Sequence, residues 1–244
     1  MTGGEIRIGT SGWSYRHWKG LFYPEGLAAA DQLPWYAERF DAVELNGTFY
    51  RLPKRETFAT WREKTPDNFR FAVKANRYIT HMKKLRDPEQ SLDRMLGAIQ
   101  GLGDKLGPIL FQLPPGWRLD LDRLETFLAA LPKRRGYAFE FRHESWFDDR
   151  VYAALERHGV GFCIYHLAGQ QSPMIVSAAL VYIRLHGPGG PYAGSYHTNA
   201  LRSWARRIAA WRDAGHDVWC FFDNDQNAYA PENALRLKTQ LSIM

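Results

Sequence analysis

Hydrophobic positions along the chain recur with two periods, and the two alternate from one end to the other. Short β-branched or aromatic runs lie at 5–9, 42–46, 69–75, 107–112, 137–142, 160–165, 180–186 and 217–223. Each has the length and composition of a strand. Between them the apolar positions move to helical spacing. Leu92, Met95, Leu96, Ile99 and Leu102 follow Asp87-Pro88-Glu89, which offers an N-cap and a proline at the first helical position. Leu121, Leu124, Leu128 and Leu131 repeat until Pro132 stops them. Val151, Leu155 and His158 lead into Gly159, a residue suited to the left-handed position after a helix, and Leu201, Trp204, Ile208 and Trp211 form a stripe that ends near Gly215.

Strands that alternate with helices pair in parallel and are covered by those helices. Eight of them predict closure into a single (β/α)8 barrel occupying residues 1–244 as one domain, with an open doubly wound sheet as the alternative. One unit is incomplete. Residues 167–179 read as a loop with at most one helical turn, so the sixth helix is expected to be weak or missing.

Residues two apart on a strand share a face. Glu44 and Asn46 oppose Val43 and Leu45; Lys74 opposes Phe71 and Val73; Gln112 opposes Phe111. Glu140 and Arg142 oppose Phe139 and Phe141, Arg184 and His186 oppose Ile183 and Leu185, and the last strand runs into Asp223-Asn224. The apolar sets must meet the helices. The polar sets then point into the barrel near the carboxyl ends of the strands, where active sites of this fold lie. Burying so many ionisable groups is costly, and apolar replacements would often be as stable, which favours a functional site over a purely structural network. The loops at that end add Trp13, Trp18, Tyr50, His143 and Trp146, with Arg77, Tyr78, Lys83, Lys84 and Arg86 after the third strand. The seventh loop, Gly187 to Gly194, is rich in glycine and proline and carries Tyr192.

Composition narrows the partners. With 45% hydrophobic and 14% aromatic residues the chain can bury a large core, and a formal net charge of +6 favours an anionic partner. No apolar run is long enough to cross a membrane, and the N-terminus shows no signal-peptide core, so a cytoplasmic location is expected. Cys163 and Cys220 both fall inside strands and read as reduced, buried thiols. Gly9-Thr10-Ser11-Gly12 lacks the last glycine of a nucleophile elbow, and no Walker A or dinucleotide fingerprint occurs. Glu44 and Glu140 lie three strands apart and do not form an obvious glycosidase pair. His143, His166, His186, Glu44, Glu140, Asp223 and Asp225 fall at strand ends as potential metal ligands, but Lys74, Arg142 and Arg184 share the interior and oppose a divalent ion. No metal and no cofactor are expected.

The assembled segments resemble the YecE-like family, domain of unknown function 72. They are Gly9-Thr10-Ser11-Gly12-Trp13, Phe22-Tyr23-Pro24, Glu44-Leu45-Asn46 with Thr48-Phe49-Tyr50, Lys74, Leu110 through Pro114, Glu140-Phe141-Arg142-His143 with Ser145-Trp146, Arg184-Leu185-His186-Gly187, and Phe222-Asp223-Asn224 before Asn233-Ala234. They span nearly the whole chain in order. The resemblance implies a TIM barrel and supplies no activity; at fold level alone there is a looser likeness to xylose-isomerase-like and endonuclease IV barrels.

The leading reading is an enzyme, a hydrolase, isomerase or lyase, acting on a small phosphate- or carboxylate-bearing substrate. Arg142, Arg184 and Lys74 would hold the anion, with Asn46, Gln112, His143 and Asn224 as further polar contacts. Glu140 or Glu44 would be the general acid or base with His186 as partner, and Trp13, Tyr50 and Trp146 would form the walls. The alternatives are a nucleic-acid-binding or repair protein, for which the basic and aromatic rim predicts weak, non-specific, salt-sensitive affinity, and a non-catalytic ligand-binding barrel.

Overall fold

A computed structural model describes residues 3–133 and 136–243. Its strands and main helices follow in the order β1 (Ile6–Thr10), α1 (Gln32–Ala37), β2 (Ala42–Leu45), α2 (Arg55–Glu63), β3 (Arg70–Lys74), α3 (Pro88–Ile99), β4 (Leu106–Gln112), α4 (Leu121–Ala130), β5 (Tyr137–Glu140), α5 (Asp149–Arg157), β6 (Gly161–Leu167), the two-residue β7 (Gln170–Gln171), β8 (Leu180–Leu185), α6 (Thr198–Asp213), β9 (Asp217–Phe222) and α7 (Tyr229–Ser242). The strand order is β1-β9-β8-β6-β5-β4-β3-β2, with β7 attached to β6 alone. A bridge between Ser11 and Glu44 brings the two ends of that order together, reinforced by Gly12 N–H donating to the Glu44 carbonyl at 2.8 Å. The eight parallel strands thus make a nearly closed (β/α)8 barrel, with each strand within two residues of its expected bounds.

The sixth helix is absent, as expected, and the reason is local. β6 turns back through Ala168, at φ 50°, into β7, which pairs antiparallel with it (His166 with Gln171, Leu167 with Gln170). The segment that follows then satisfies β6 with side chains. Ser172 Oγ accepts from Tyr165 N–H at 2.9 Å, and Ser177 Oγ accepts from Phe162 N–H at 2.8 Å while donating to the Val160 carbonyl. The segment after β7 is thus tied to β6 by hydrogen bonds where the other units place a helix.

The chain divides into two compact units. The first holds β1, α1, β2 as far as Glu44, residues 164–172, and everything from Val181 onward; the second holds 45–163 and 173–180. In the first, α6 buries Leu201, Trp204, Ala205 and Ile208, and α7 buries Ala234 and Leu237. Full burial of such a side chain stabilises by about 1.5–3 kcal/mol, which fixes the register of the amphipathic stripe. β1 and β2 approach so closely that a Cβ on Gly9 would lie 2.1 Å from the Ala42 carbonyl oxygen.

In the second unit an aromatic file runs along the helix-facing side of the strands. Phe111 stacks on Phe139 at 5.2 Å, Phe139 on Phe141 at 5.9 Å, and Phe141 on Trp146 at 5.0 Å, while Phe127 of α4 meets Phe111 edge-on. Trp146 is therefore core, not the pocket wall it was expected to be. It is fully buried, and its indole N–H donates to the Trp117 carbonyl at 2.6 Å. Helices α4 and α5 are capped at their starts by Asp120 and Asp148, which accept from the N–H groups of Arg123 and Arg150. Asp87 behaves differently. It precedes α3 in a left-handed conformation and makes no cap; its carboxylate pairs with Lys83 at 3.0 Å.

Candidate active site

Within the first unit, β8, β9, β1 and β2 are consecutive around the barrel, and their carboxyl ends bring five polar side chains into contact. Arg184 and Glu44 lie one residue before the ends of their strands, and His186, Asp223 and Ser11 directly follow theirs. All five are buried. The Arg184 guanidinium sits between two carboxylates. Its Nε donates to both Glu44 oxygens at 3.2 and 3.1 Å, and its Nη2 donates to Glu44 Oε1 at 2.8 Å and to Asp223 Oδ2 at 2.9 Å. Glu44 accepts two further bonds of 2.7 Å, from Ser11 Oγ and the Tyr182 hydroxyl. Asp223 Oδ2 also lies 3.0 Å from His186 Nδ1, and His186 Nε2 lies 3.4 Å from Arg184 Nη1.

This geometry changes the assignments made from sequence. The carboxylate partner of His186 is Asp223, not Glu140 or Glu44. With Asp223 accepting from Nδ1–H, Nε2 is the ring nitrogen turned toward Arg184 Nη1. Arg184 is not available as the grip for a substrate anion, because two carboxylates already hold it. Burial and the nearby Asp223, Asp225 and Glu44 carboxylates push the Tyr15 hydroxyl far above its ordinary value, so Tyr15 is a hydroxyl donor here, bonded to the Ser11 carbonyl. Burial, and then Asp223, also raise Asp225.

The seventh loop reaches over this cluster. The exposed ring of Tyr192 lies edge-on to His186 at 5.6 Å, with its backbone at φ 62°. Gly187, at φ 111°, starts the loop, and a Cβ there would lie 2.2 Å from the Ala193 carbonyl oxygen, so no other residue fits. Tyr196 anchors the loop's far end; its hydroxyl accepts from Gly187 N–H at 3.1 Å and meets His166 Nδ1 at 2.9 Å. Burial, and then His186, lower His166 below its ordinary value. Asn224, expected as a substrate contact, braces this scaffold through its amide nitrogen, which donates to the Gly194 carbonyl at 2.8 Å and to Asn233 Oδ1 at 3.0 Å. Trp13 is half-buried in the first loop, and its carbonyl accepts from the Tyr23 hydroxyl.

The remaining expected residues belong to the second unit. Glu140 is fully buried; it accepts from Arg142 Nε and faces the Cys163 thiol at 3.9 Å. Gln112 ends β4 in register with Glu140 and is half-buried. Lys74 ends β3, with its ammonium 4.5 Å from the centre of the Phe49 ring. Asn46 is half-buried, and Tyr50 is 69% exposed. His143 is used locally: its Nδ1 accepts from Ser145 N–H at 3.1 Å at the start of a short turn. Among the described residues no group of three or more His, Cys, Asp or Glu side chains is arranged to hold a metal ion, and no helix is long and apolar enough to cross a membrane.

A nearly closed barrel with a buried Glu–Arg–Asp–His chain at its strand ends is the class this fold and site define. The family model for the protein of unknown function DUF72 matches residues 7–244, and the chain belongs to that family. It is 35% identical to the UPF0759 protein YecE of Escherichia coli over 143 residues, covering 58% of this chain and 50% of that one, so the match spans half the length of YecE. It is 25% identical to the UPF0759 protein YunF of Bacillus subtilis, over 98% of this chain and 95% of that one. A crystal structure of a DUF72 family protein from Thermotoga maritima is similar with a TM-score of 0.89 and 28% identity, covering 98% of this chain and 99% of that one. One from Enterococcus faecalis has a TM-score of 0.81 at 20% identity over the full length of both, a likeness of fold.

Proposed function

We propose that this protein is an enzyme that moves a proton on a small phosphate- or carboxylate-bearing substrate. His186 is the proton-transfer group, and Asp223 holds its ring. Glu44 and Arg184 act through them: Glu44 fixes the guanidinium, and the guanidinium fixes Asp223. The observation that carries this reading is the burial of an arginine, two carboxylates and a histidine at the strand ends. Taking such groups out of water costs several kcal/mol per ion, and apolar side chains of similar volume would often be as stable. The net charge of +6 supports an anionic substrate.

The test is solvent isotope exchange. The protein is incubated in heavy water with a panel of sugar phosphates and hydroxy- and keto-acids, and proton and phosphorus NMR detect deuterium entry or product. At least one compound is expected to exchange or convert. Asp223→Asn should slow it by roughly 100-fold or more, the scale of general acid–base catalysis. A panel left unchanged by the wild type, or an Asp223→Asn variant as fast as the wild type, overturns the assignment.

A further inference from the structure

In the second unit, the loops after β2 and β3 and the start of α3 enclose a cavity of about 580 Å³ that the active-site residues do not line. Its walls include two tyrosines, Tyr50 and Tyr78, and two arginines, Arg51 and Arg94. Tyr50 is 69% exposed and Tyr78 44%, although rings of this size bury well elsewhere in the chain. Neither arginine has an ion-pair partner among the described residues, and no carboxylate lines the cavity. Leu52, Ile79 and Met95 add apolar lining.

The two tyrosines are fixed, not trailing. Asn76 ties their loops together: its amide donates to the Thr48 carbonyl at 2.9 Å, and its Oδ1 accepts from Tyr78 N–H at 2.9 Å. Phe49 meets Tyr50 edge-on at 5.0 Å and His81 edge-on at 4.9 Å. Tyr78 begins a π-helical turn, Tyr78–Met82, and the backbone then passes through left-handed conformations at Lys84 (φ 48°), Leu85 (φ 65°) and Asp87 (φ 44°), none of them glycine. π-turns and runs of strained residues persist where the surroundings over-determine them, and they concentrate at binding sites.

We propose that this groove binds a nucleotide, its base against the Tyr50 and Tyr78 rings and its phosphate on Arg51 and Arg94. The volume suits a ligand of that size. A base supplies the flat apolar face that two exposed rings and the apolar lining match, and a planar guanidinium matches phosphate in two-point fashion. The same chemistry occurs in a free mononucleotide and in one residue of a single strand. The proposal stands independently of the proton-transfer reading, since it shares none of that reading's residues.

Isothermal titration of the full chain with adenosine 5′-monophosphate, a 5′-phosphorylated ten-residue oligothymidine, adenosine and ribose 5-phosphate tests it. A nucleotide is expected to bind, and the two half-molecules should bind at least tenfold more weakly. Tyr78→Ala, and separately Arg51→Ala with Arg94→Ala, should each weaken it tenfold or more with melting temperature unchanged, all three positions being exposed. Tighter binding of the oligomer identifies a single strand as the source, and equal binding identifies the free nucleotide. Ribose 5-phosphate binding as well as the nucleotide, variants that bind like the wild type, or no binding of either nucleotide at millimolar concentration overturns the proposal.

Discussion

Replacing Arg184 by Met keeps most of the side-chain volume and removes the one cation between Glu44 and Asp223. Glu44 would retain its bonds from Ser11 and Tyr182, and Asp223 its contact with His186, but both carboxylates would stay buried without the guanidinium that now donates to them at 2.8–3.2 Å. Breaking a buried pair by removing one partner costs about 3–5 kcal/mol, and for a chain of this size each kcal/mol lowers the melting temperature by about 2–4 °C. Arg184→Met should therefore melt about 6–20 °C below the wild type. Adding Glu44→Gln removes one of the stranded charges, so the double variant should recover part of the loss and be more stable than the sum of the two single changes predicts. Differential scanning calorimetry of all four proteins at one pH measures this. A single variant within about 2 °C of the wild type, or a strictly additive double variant, would show that the network is not coupled as described.

Three further outcomes follow from the same structure. Burial, with Lys74 and Arg77 nearby, holds His81 below its ordinary value of 6.5, so as the pH falls through that value the unfolded chain takes up a proton before the folded one does. Stability should decline from about pH 6.5 downward, and His81→Gln should flatten that decline in melting curves; an unchanged slope would refute the assignment. Lys105 is buried and donates to the carbonyls of Arg62 and Thr65 at 2.8 and 2.6 Å, closing the end of α2, so Lys105→Met should cost about 1–3 kcal/mol in denaturant titrations, and no change in midpoint would refute it. Gly9→Ala should yield little folded protein, since its Cβ would meet the Ala42 carbonyl oxygen at 2.1 Å; a soluble variant with wild-type melting would contradict that packing.

The alternation of apolar and polar residues made every barrel strand legible, because the period of two is dictated by the pleat and not by the partner strand. It also placed Glu44, Arg184 and His186 on one face. Which groups pair was not legible. Glu44 and Arg184 are 140 residues apart, and only the closure of β1 between β9 and β2 brings them together. Alternation does not separate Asp223 from Asn224 as the inward group, because both lie just beyond β9. The same holds for Trp146, which follows β5 by several residues, and aromatic character alone does not distinguish a pocket wall from a core ring. The Tyr50–Tyr78 groove depends on Asn76 bridging two loops, a contact with no sequence period.

His186→Asn separates function from stability more directly than any other change. The Asn side-chain amide takes the place of His186 Nδ1 and can keep the bond to Asp223, now 3.0 Å long, while the Nε2 group is lost. The decisive measurement is the rate of deuterium exchange into the substrate identified by the NMR panel, taken alongside the melting temperature of the same sample. Exchange reduced by roughly 100-fold or more, with a melting temperature well above that of Arg184→Met, is the predicted result. Exchange at the wild-type rate, with melting lowered as far as in Arg184→Met, would show that His186 is part of the barrel's internal framework and carries no proton.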